Sequence, residues 1–165
     1  MVEFRHPLLR SASYHGSPGP ERRAAHKALA EALDGEASPS RRAWHRALAA
    51  LAPDEQVARE LEQAANEALG RGAPAAAASA REVAARLSPK AEDRSRRLQE
   101  GGRDAWLSGR SGEAAPLLDQ ALVEARNPIL AEIKWVRGQV EAFSGSILAA
   151  RRLFVEAAEL VGAPS

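Results

Sequence analysis

The chain has 165 residues, of which 45% are apolar and 4% aromatic, and its 23 basic and 22 acidic side chains give a formal net charge of +1. Alanine supplies 37 residues and leucine 18, whereas strand-forming β-branched and aromatic residues are scarce, so the composition predicts an all-α fold. The balanced charge gives no overall attraction to nucleic acid or membranes. The absence of cysteine excludes a disulfide framework and thiolate metal sites.

The first predicted helices form an N-terminal group, residues 1–52. Proline and glycine positions divide it into helices over about 7–14, 20–33 and 38–52. All four histidines lie in this group: His6, His15, His26 and His45. No long apolar segment opens the sequence, and none is long enough to cross a bilayer, so we expect a cytoplasmic protein that does not contact membranes.

Residues 53–165 show a repeated pattern of paired helices. Three antiparallel hairpins are predicted at about 53–88, 89–127 and 128–163, starting at prolines that are 36 and 39 residues apart. The second helix of each pair follows a glycine, carries alanine at its inner turns and ends before a proline. Spacing of this size is typical of two-helix solenoids, so we predict a tetratricopeptide-like stack preceded by the three-helix group.

Catalytic and metal-binding motifs are missing from the sequence, which predicts a protein that is not an enzyme. It contains no phosphate-binding glycine loop, no HExxH and no paired cysteines. His26 and His45 lie on neighbouring helices, but two histidines without a third ligand make a poor metal site. A catalytic alternative would need two of the histidines to converge with a carboxylate such as Glu31. The arginine-rich run at 94–97 is interpreted as a solvated, ion-paired helix surface.

The first helices of the second and third hairpins carry the candidate binding residues. In a helical stack these helices commonly line the concave face, where Trp106 and Trp135 could hold a peptide or small ligand. The alternative is that both tryptophans are bulky core residues in an alanine-rich stack. Arg103, Lys134 and Arg137 lie on the same helices and could face the same groove.

A resemblance to a known family covers residues 4–72. The N-terminal group resembles the large ATP-binding transcriptional regulators of the LuxR family in three segments: FRHPLLRSASY at 4–14, PERRAAHKALAEAL at 20–33 and RAWH at 42–45. In that family a STAND-type nucleotide-binding module precedes tetratricopeptide-like repeats and a DNA-binding helix-turn-helix. The chain resembles the junction of the first two parts, so residues 1–52 would end the nucleotide-binding module and the chain would be a fragment.

The resemblance implies a sensor and protein-interaction segment that relays inducer or partner binding to modules outside this sequence. ATP or ADP is implied only for the nucleotide-binding module, because no Walker motif is present here, and no direct DNA contact is implied. By resemblance, His6 is a candidate nucleotide-sensing residue. Expected partners are the adjacent modules or a second copy of the chain, with a small-molecule inducer as a further possibility. The alternative is a free-standing tetratricopeptide-like adaptor that binds a peptide or partner protein.

Overall fold

The computed structural model describes residues 14–33, 39–126 and 129–162. Within these ranges the regular structure is entirely helical and contains no strand, which confirms the all-α prediction. The chain divides into two compact units, Met1–Leu51 and Ala52–Ser165. No helix in the described ranges is both long enough and apolar enough to span a membrane.

The first unit contains two described helices that pack against each other, α1 (Gly19–Ala32) and α2 (Pro39–Ala49). Pro20 lies in the first turn of α1, where its missing N–H costs no intrahelical hydrogen bond. Of the helix predicted over 7–14, only Tyr14 falls within the described residues.

The second unit contains six helices that pack in chain order, two in each of the three predicted hairpin segments. They are α3 (Glu55–Gly70), α4 (Pro74–Leu87), α5 (Ala91–Leu107), α6 (Ser111–Glu124), α7 (Ile129–Ser144) and α8 (Ile147–Gly162). Asp54 caps α3 by accepting hydrogen bonds from the backbone N–H groups of Gln56 and Val57. The turns after α3 and α5 contain Gly72 and Gly109 at positive φ, where glycine carries no steric cost.

Buried positions of the second unit recur at intervals of 36 residues. Two sets of buried alanines lie on the second helices of the hairpins: Ala78, Ala114 and Ala150, and then Ala85, Ala121 and Ala157. Small side chains at these positions let the paired helices approach closely. On the first helices, the same interval relates three fully buried residues of different chemistry: Leu61, Arg97 and Ile133.

Arg97 is a buried cation in the centre of the second unit. Its side chain is 1% exposed and donates hydrogen bonds to Glu55 and Glu62 of α3, with nitrogen–oxygen distances of 2.8–3.1 Å, and to the Ser88 hydroxyl. Burial lowers the pKa of Arg97, but these carboxylates outweigh burial and raise it overall. Hydrogen bonding and attraction therefore keep the buried guanidinium charged.

A chain of alternating charges extends from Arg97 across α3, α4 and α5, and a separate ion pair joins α5 to α6. Arg96 bridges Glu62 and Glu100, and Arg81 of α4 contacts Glu100, Asp104 and the Asn66 amide oxygen. Burial raises the pKa of Asp104 despite the opposing attraction of Arg81. Arg94 donates two hydrogen bonds of 2.6–2.7 Å to Glu124 of α6.

The interpretation of the run at 94–97 as a solvated helix surface is therefore wrong for Arg97, whereas Arg94 and Arg96 are partly exposed and ion-paired. Arg97 is buried, and its carboxylate partners lie on a different helix, 35 and 42 residues earlier in the chain. Neighbours three or four positions apart also pair here, as Arg96 does with Glu100, but they are the minor part of the network. These long-range ion pairs join α3 to α5, the first helices of two successive hairpins.

Candidate binding groove

A groove of about 800 Å³ lies between α5, α7 and α8. Most of its wall is apolar, and its polar groups come from α5 and α7. The residues that carry its chemistry are Gln99 and Arg103 of α5, Glu132, Trp135 and Gln139 of α7, and Phe154 of α8. An apolar surface with a few convergent polar groups is the usual character of a ligand site.

Trp135 forms the aromatic wall of this groove together with Phe154. Their ring centroids are 4.9 Å apart and the rings are tilted by 52°. The Trp135 side chain is nonetheless 53% exposed, so it is available to a ligand. The interpretation of Trp135 as a core residue is therefore wrong. The buried residues beneath the groove are Val136, Ala131 and Ala157.

Arg103 supplies the positive charge of the groove. The other arginines of α5, Arg94, Arg96 and Arg97, all form ion pairs. Arg103 forms none within the described residues, although it attracts the neighbouring Asp104 carboxylate weakly. The planar guanidinium is therefore free to bind a carboxylate in a bidentate manner while apolar groups of the same ligand contact Trp135.

The remaining candidates of the sequence lie outside this groove. Lys134 pairs with Glu156 of α8, and Arg137 pairs with Asp119 of α6 at 2.8 Å and with Glu141. Both cations therefore join helices and do not line the groove. Trp106 packs against the apolar core and against Phe143, with ring centroids 5.2 Å apart. The structure thus brings together Trp135 and Arg103 only.

Two histidines and a tyrosine meet in the first unit. The Nδ1 atoms of His26 and His45 are 2.9 Å apart, and the Tyr14 hydroxyl is 2.9 Å from His26 Nε2. A hydrogen bond between two Nδ1 atoms needs one donor and one acceptor, so one of the two Nδ1 atoms must carry no proton. Burial lowers the pKa of His26, and repulsion from His45 and Arg22 lowers it further.

The histidine contact supplies the two converging rings of the catalytic alternative, which also requires a carboxylate such as Glu31. In residues 14–33, 39–126 and 129–162, no group of three His, Asp or Glu side chains could hold a metal ion. Glu31 lies on the exposed side of α1. His6, the nucleotide-sensing candidate, lies outside the described residues. The His26–His45 pair joins α1 to α2.

Sequence reasoning missed Phe154 and Glu132 as groove residues. Phe154 follows Leu118 by 36 residues, so it occupies in the third hairpin the packing position that Leu118 occupies in the second. Glu132 has no such signal, because nothing in the local sequence pattern distinguishes it from an ordinary exposed acid in the first turn of a helix. Comparison of the chain with protein-family models, with curated proteins and with solved structures finds no match.

Proposed function

We propose that residues 53–165 form a tetratricopeptide-like stack of three hairpins whose groove binds a peptide segment with apolar and acidic side chains. The stacking rests on the 36-residue interval between buried alanines and on contacts between the first helices of successive hairpins. Ion pairs join α3 to α5, and α5 contacts α7 directly. First helices that lie side by side are what a helical solenoid requires.

The observation that carries the binding function is the position of Arg103 beside Trp135 in one groove. Trp135 and Phe154 offer an apolar surface, and Arg103 offers a cation without an ion-pair partner in the described chain. A ligand that satisfies both contains an aliphatic or aromatic group near a carboxylate. Binding, not catalysis, is the proposed role.

On the resemblance of residues 4–72, we propose that this binding segment belongs to a LuxR-type transcriptional regulator, with residues 1–52 ending its nucleotide-binding module. In that setting the groove ligand, a partner protein or an inducer, would bind one arrangement of the adjoining modules more tightly and shift the population towards it. The second candidate is a free-standing adaptor. A genomic reading frame that continues into a Walker motif and a helix-turn-helix would favour the regulator, and one without them would favour the adaptor.

The groove can be tested by fluorescence of Trp135 in the full chain carrying Trp44→Phe and Trp106→Phe. The probes are synthetic N-acetylated hexapeptides that combine leucine or phenylalanine with either glutamate or lysine. We expect the acidic peptides to change Trp135 emission at lower concentration than the basic ones. Arg103→Ala should weaken acidic-peptide binding at least about fivefold, since a charge-assisted hydrogen bond is lost.

Arg59→Ala is the matched control, because Arg59 is an exposed cation on α3 outside the groove. It should leave the titration unchanged. Equal binding of acidic and basic peptides, or binding that survives Arg103→Ala at full strength, would reject the proposed groove chemistry.

A further inference from the structure

The outer face of the last hairpin is apolar and uncovered. A second groove, of about 390 Å³, runs between α7 and α8 and is walled by Ala142, Ile147, Ala150, Phe154, Val155 and Ala158. Ile147 and Val155 are exposed, and Leu148 beside them is 77% exposed. Exposed apolar area of this kind indicates an interaction surface.

The residues that lie 36 positions before this groove show how the equivalent face of the second hairpin is packed. The residues that correspond to Ala150, Phe154 and Ala158 are Ala114, Leu118 and Leu122. Ala114 and Leu118 are fully buried there, and both belong to an apolar cluster with Ile133 and Val136 of α7. Leu118 also packs against Gly102 of its own hairpin, so α5 and α7 together cover this face on the second hairpin. On the third hairpin, Ala150 is buried, whereas Val155 and Ala158 remain exposed and can receive a further helix.

The charges on α8 favour a second α8 as that helix. Arg151, Val155 and Glu159 are four residues apart and lie in one stripe along α8. Neither Arg151 nor Glu159 forms an ion pair within the described residues, whereas Arg152 on the adjacent stripe pairs with Glu156. If two α8 helices run antiparallel about a two-fold axis at Val155, Arg151 of each copy lies opposite Glu159 of the other.

We propose that two copies of this chain associate through α8, with Val155 at the two-fold axis and reciprocal Arg151–Glu159 ion pairs on either side. An isologous contact needs a self-complementary patch, and a cation and an anion equidistant from a central apolar residue provide one. The apolar groove supplies the buried area, and the two ion pairs fix the antiparallel register.

Sedimentation equilibrium of the full chain tests this dimer. The wild type should show a monomer–dimer equilibrium. Arg151→Glu alone and Glu159→Arg alone should each raise the dissociation constant at least about tenfold, because each places like charges opposite one another twice per dimer. The double variant, Arg151→Glu with Glu159→Arg, should return to within about threefold of the wild type, since both ion pairs re-form with exchanged partners.

Arg126→Glu, an exposed charge change outside α8, is the control and should leave the equilibrium unchanged. Circular dichroism melting of every variant separates loss of association from loss of folding. Three results would overturn the proposal: a wild type that stays monomeric up to millimolar concentration, a dimer that tolerates both single reversals, or a double variant that associates no better than the singles. The first of these would indicate that a different protein or a further helix of a longer chain covers α8.

Discussion

The backbone of Gly102 on α5 lies directly against the side chain of Leu118 on α6. A Cβ atom built on Gly102 would be 2.6 Å from Leu118 Cγ and 3.3 Å from the Ala114 carbonyl oxygen. The relationship recurs 36 residues later, where a Cβ on Gly138 would be 2.6 Å from the ring of Phe154. In both hairpins the two helices are therefore closer at the crossing than any larger residue on the first helix permits.

Gly102→Ala is expected to lower stability even though alanine is the better helix former. Leu118 is fully buried and cannot move away without displacing the core, and overpacking of this kind typically costs about 1–3 kcal/mol. Urea denaturation of the full chain measures the loss. Gly112→Ala is the control: a Cβ there meets no atom within 4 Å, so the variant should be neutral or slightly stabilising.

Ala121→Trp should destabilise the second hairpin for the same reason. Ala121 is fully buried, and its carbonyl oxygen accepts a hydrogen bond of 2.9 Å from the Ser95 hydroxyl of α5. An indole at this position must separate α5 from α6, at a typical cost of about 1–3 kcal/mol. Thermal melting compares it with Gln120→Trp, an exposed neighbour on α6. Equal melting temperatures for the two variants would contradict close packing at Ala121.

Arg97→Ala should be among the most damaging single changes in the chain. The variant leaves Glu55 without its main partner and opens a cavity where the buried guanidinium lay, with an expected loss of about 3 kcal/mol. Arg97→Leu should lose less, because leucine and isoleucine fill the same position in the flanking hairpins. Arg59→Ala removes an exposed contact to the same Glu55 and should cost no more than about 0.5 kcal/mol. Equal losses of stability in Arg97→Ala and Arg97→Leu would show that the lost charge, and not the lost packing, accounts for the destabilisation.

The first unit should lose stability in mild acid through His26. Its folded-state pKa is lowered below the ordinary 6.5, so the unfolded chain takes up a proton first as the pH falls. The contribution of neutral His26 is therefore complete above pH 6.5 and declines below it. Tyr14, His45 and Arg22 are the groups that face this ring, and protonation of both histidines removes the Nδ1–Nδ1 hydrogen bond.

Trp44 reports on the first unit alone when Trp106 and Trp135 are replaced by phenylalanine. The urea midpoint from Trp44 fluorescence should be lower at about pH 5.5 than at about pH 7.5. His26→Gln should reduce that difference. A midpoint that does not change between the two pH values would contradict neutral burial of His26.

Helix positions could be predicted from the sequence, whereas the charge network could not. Proline and glycine mark the ends of the hairpin helices, and the alanine pattern of 74–87 indicates their packed side. Charges three or four positions apart predict ion pairs along a helix surface, but this pattern cannot identify Glu55, which lies 42 residues before Arg97. The prolines that begin the hairpins are 36 and then 39 residues apart, whereas the buried positions are 36 residues apart throughout. The proline spacing therefore does not reveal that Arg97 corresponds to Leu61 and Ile133.

The sequence predicts which helices carry the groove residues, but not the directions in which their side chains point. Placement on the first helices assigns Trp135 and Arg103 to α7 and α5, and both residues line the groove. It does not determine which way a side chain turns around the helix, and Lys134 and Arg137 face the neighbouring helices α8 and α6. Those directions depend on the carboxylates of Glu156 and Asp119, which lie on other helices.

The long-range ion pairs also determine where the second unit opens most easily. Separation of α3–α4 from α5–α6 uncovers Arg97, Glu62 and Arg81 at once, so that opening must separate several buried charges. The α7–α8 hairpin is attached to α6 mainly by apolar side chains and by Arg137. Amide hydrogens of α7 and α8 should therefore exchange with solvent sooner than those of α3 to α6, because local release of the last hairpin disrupts the least of the buried polar structure.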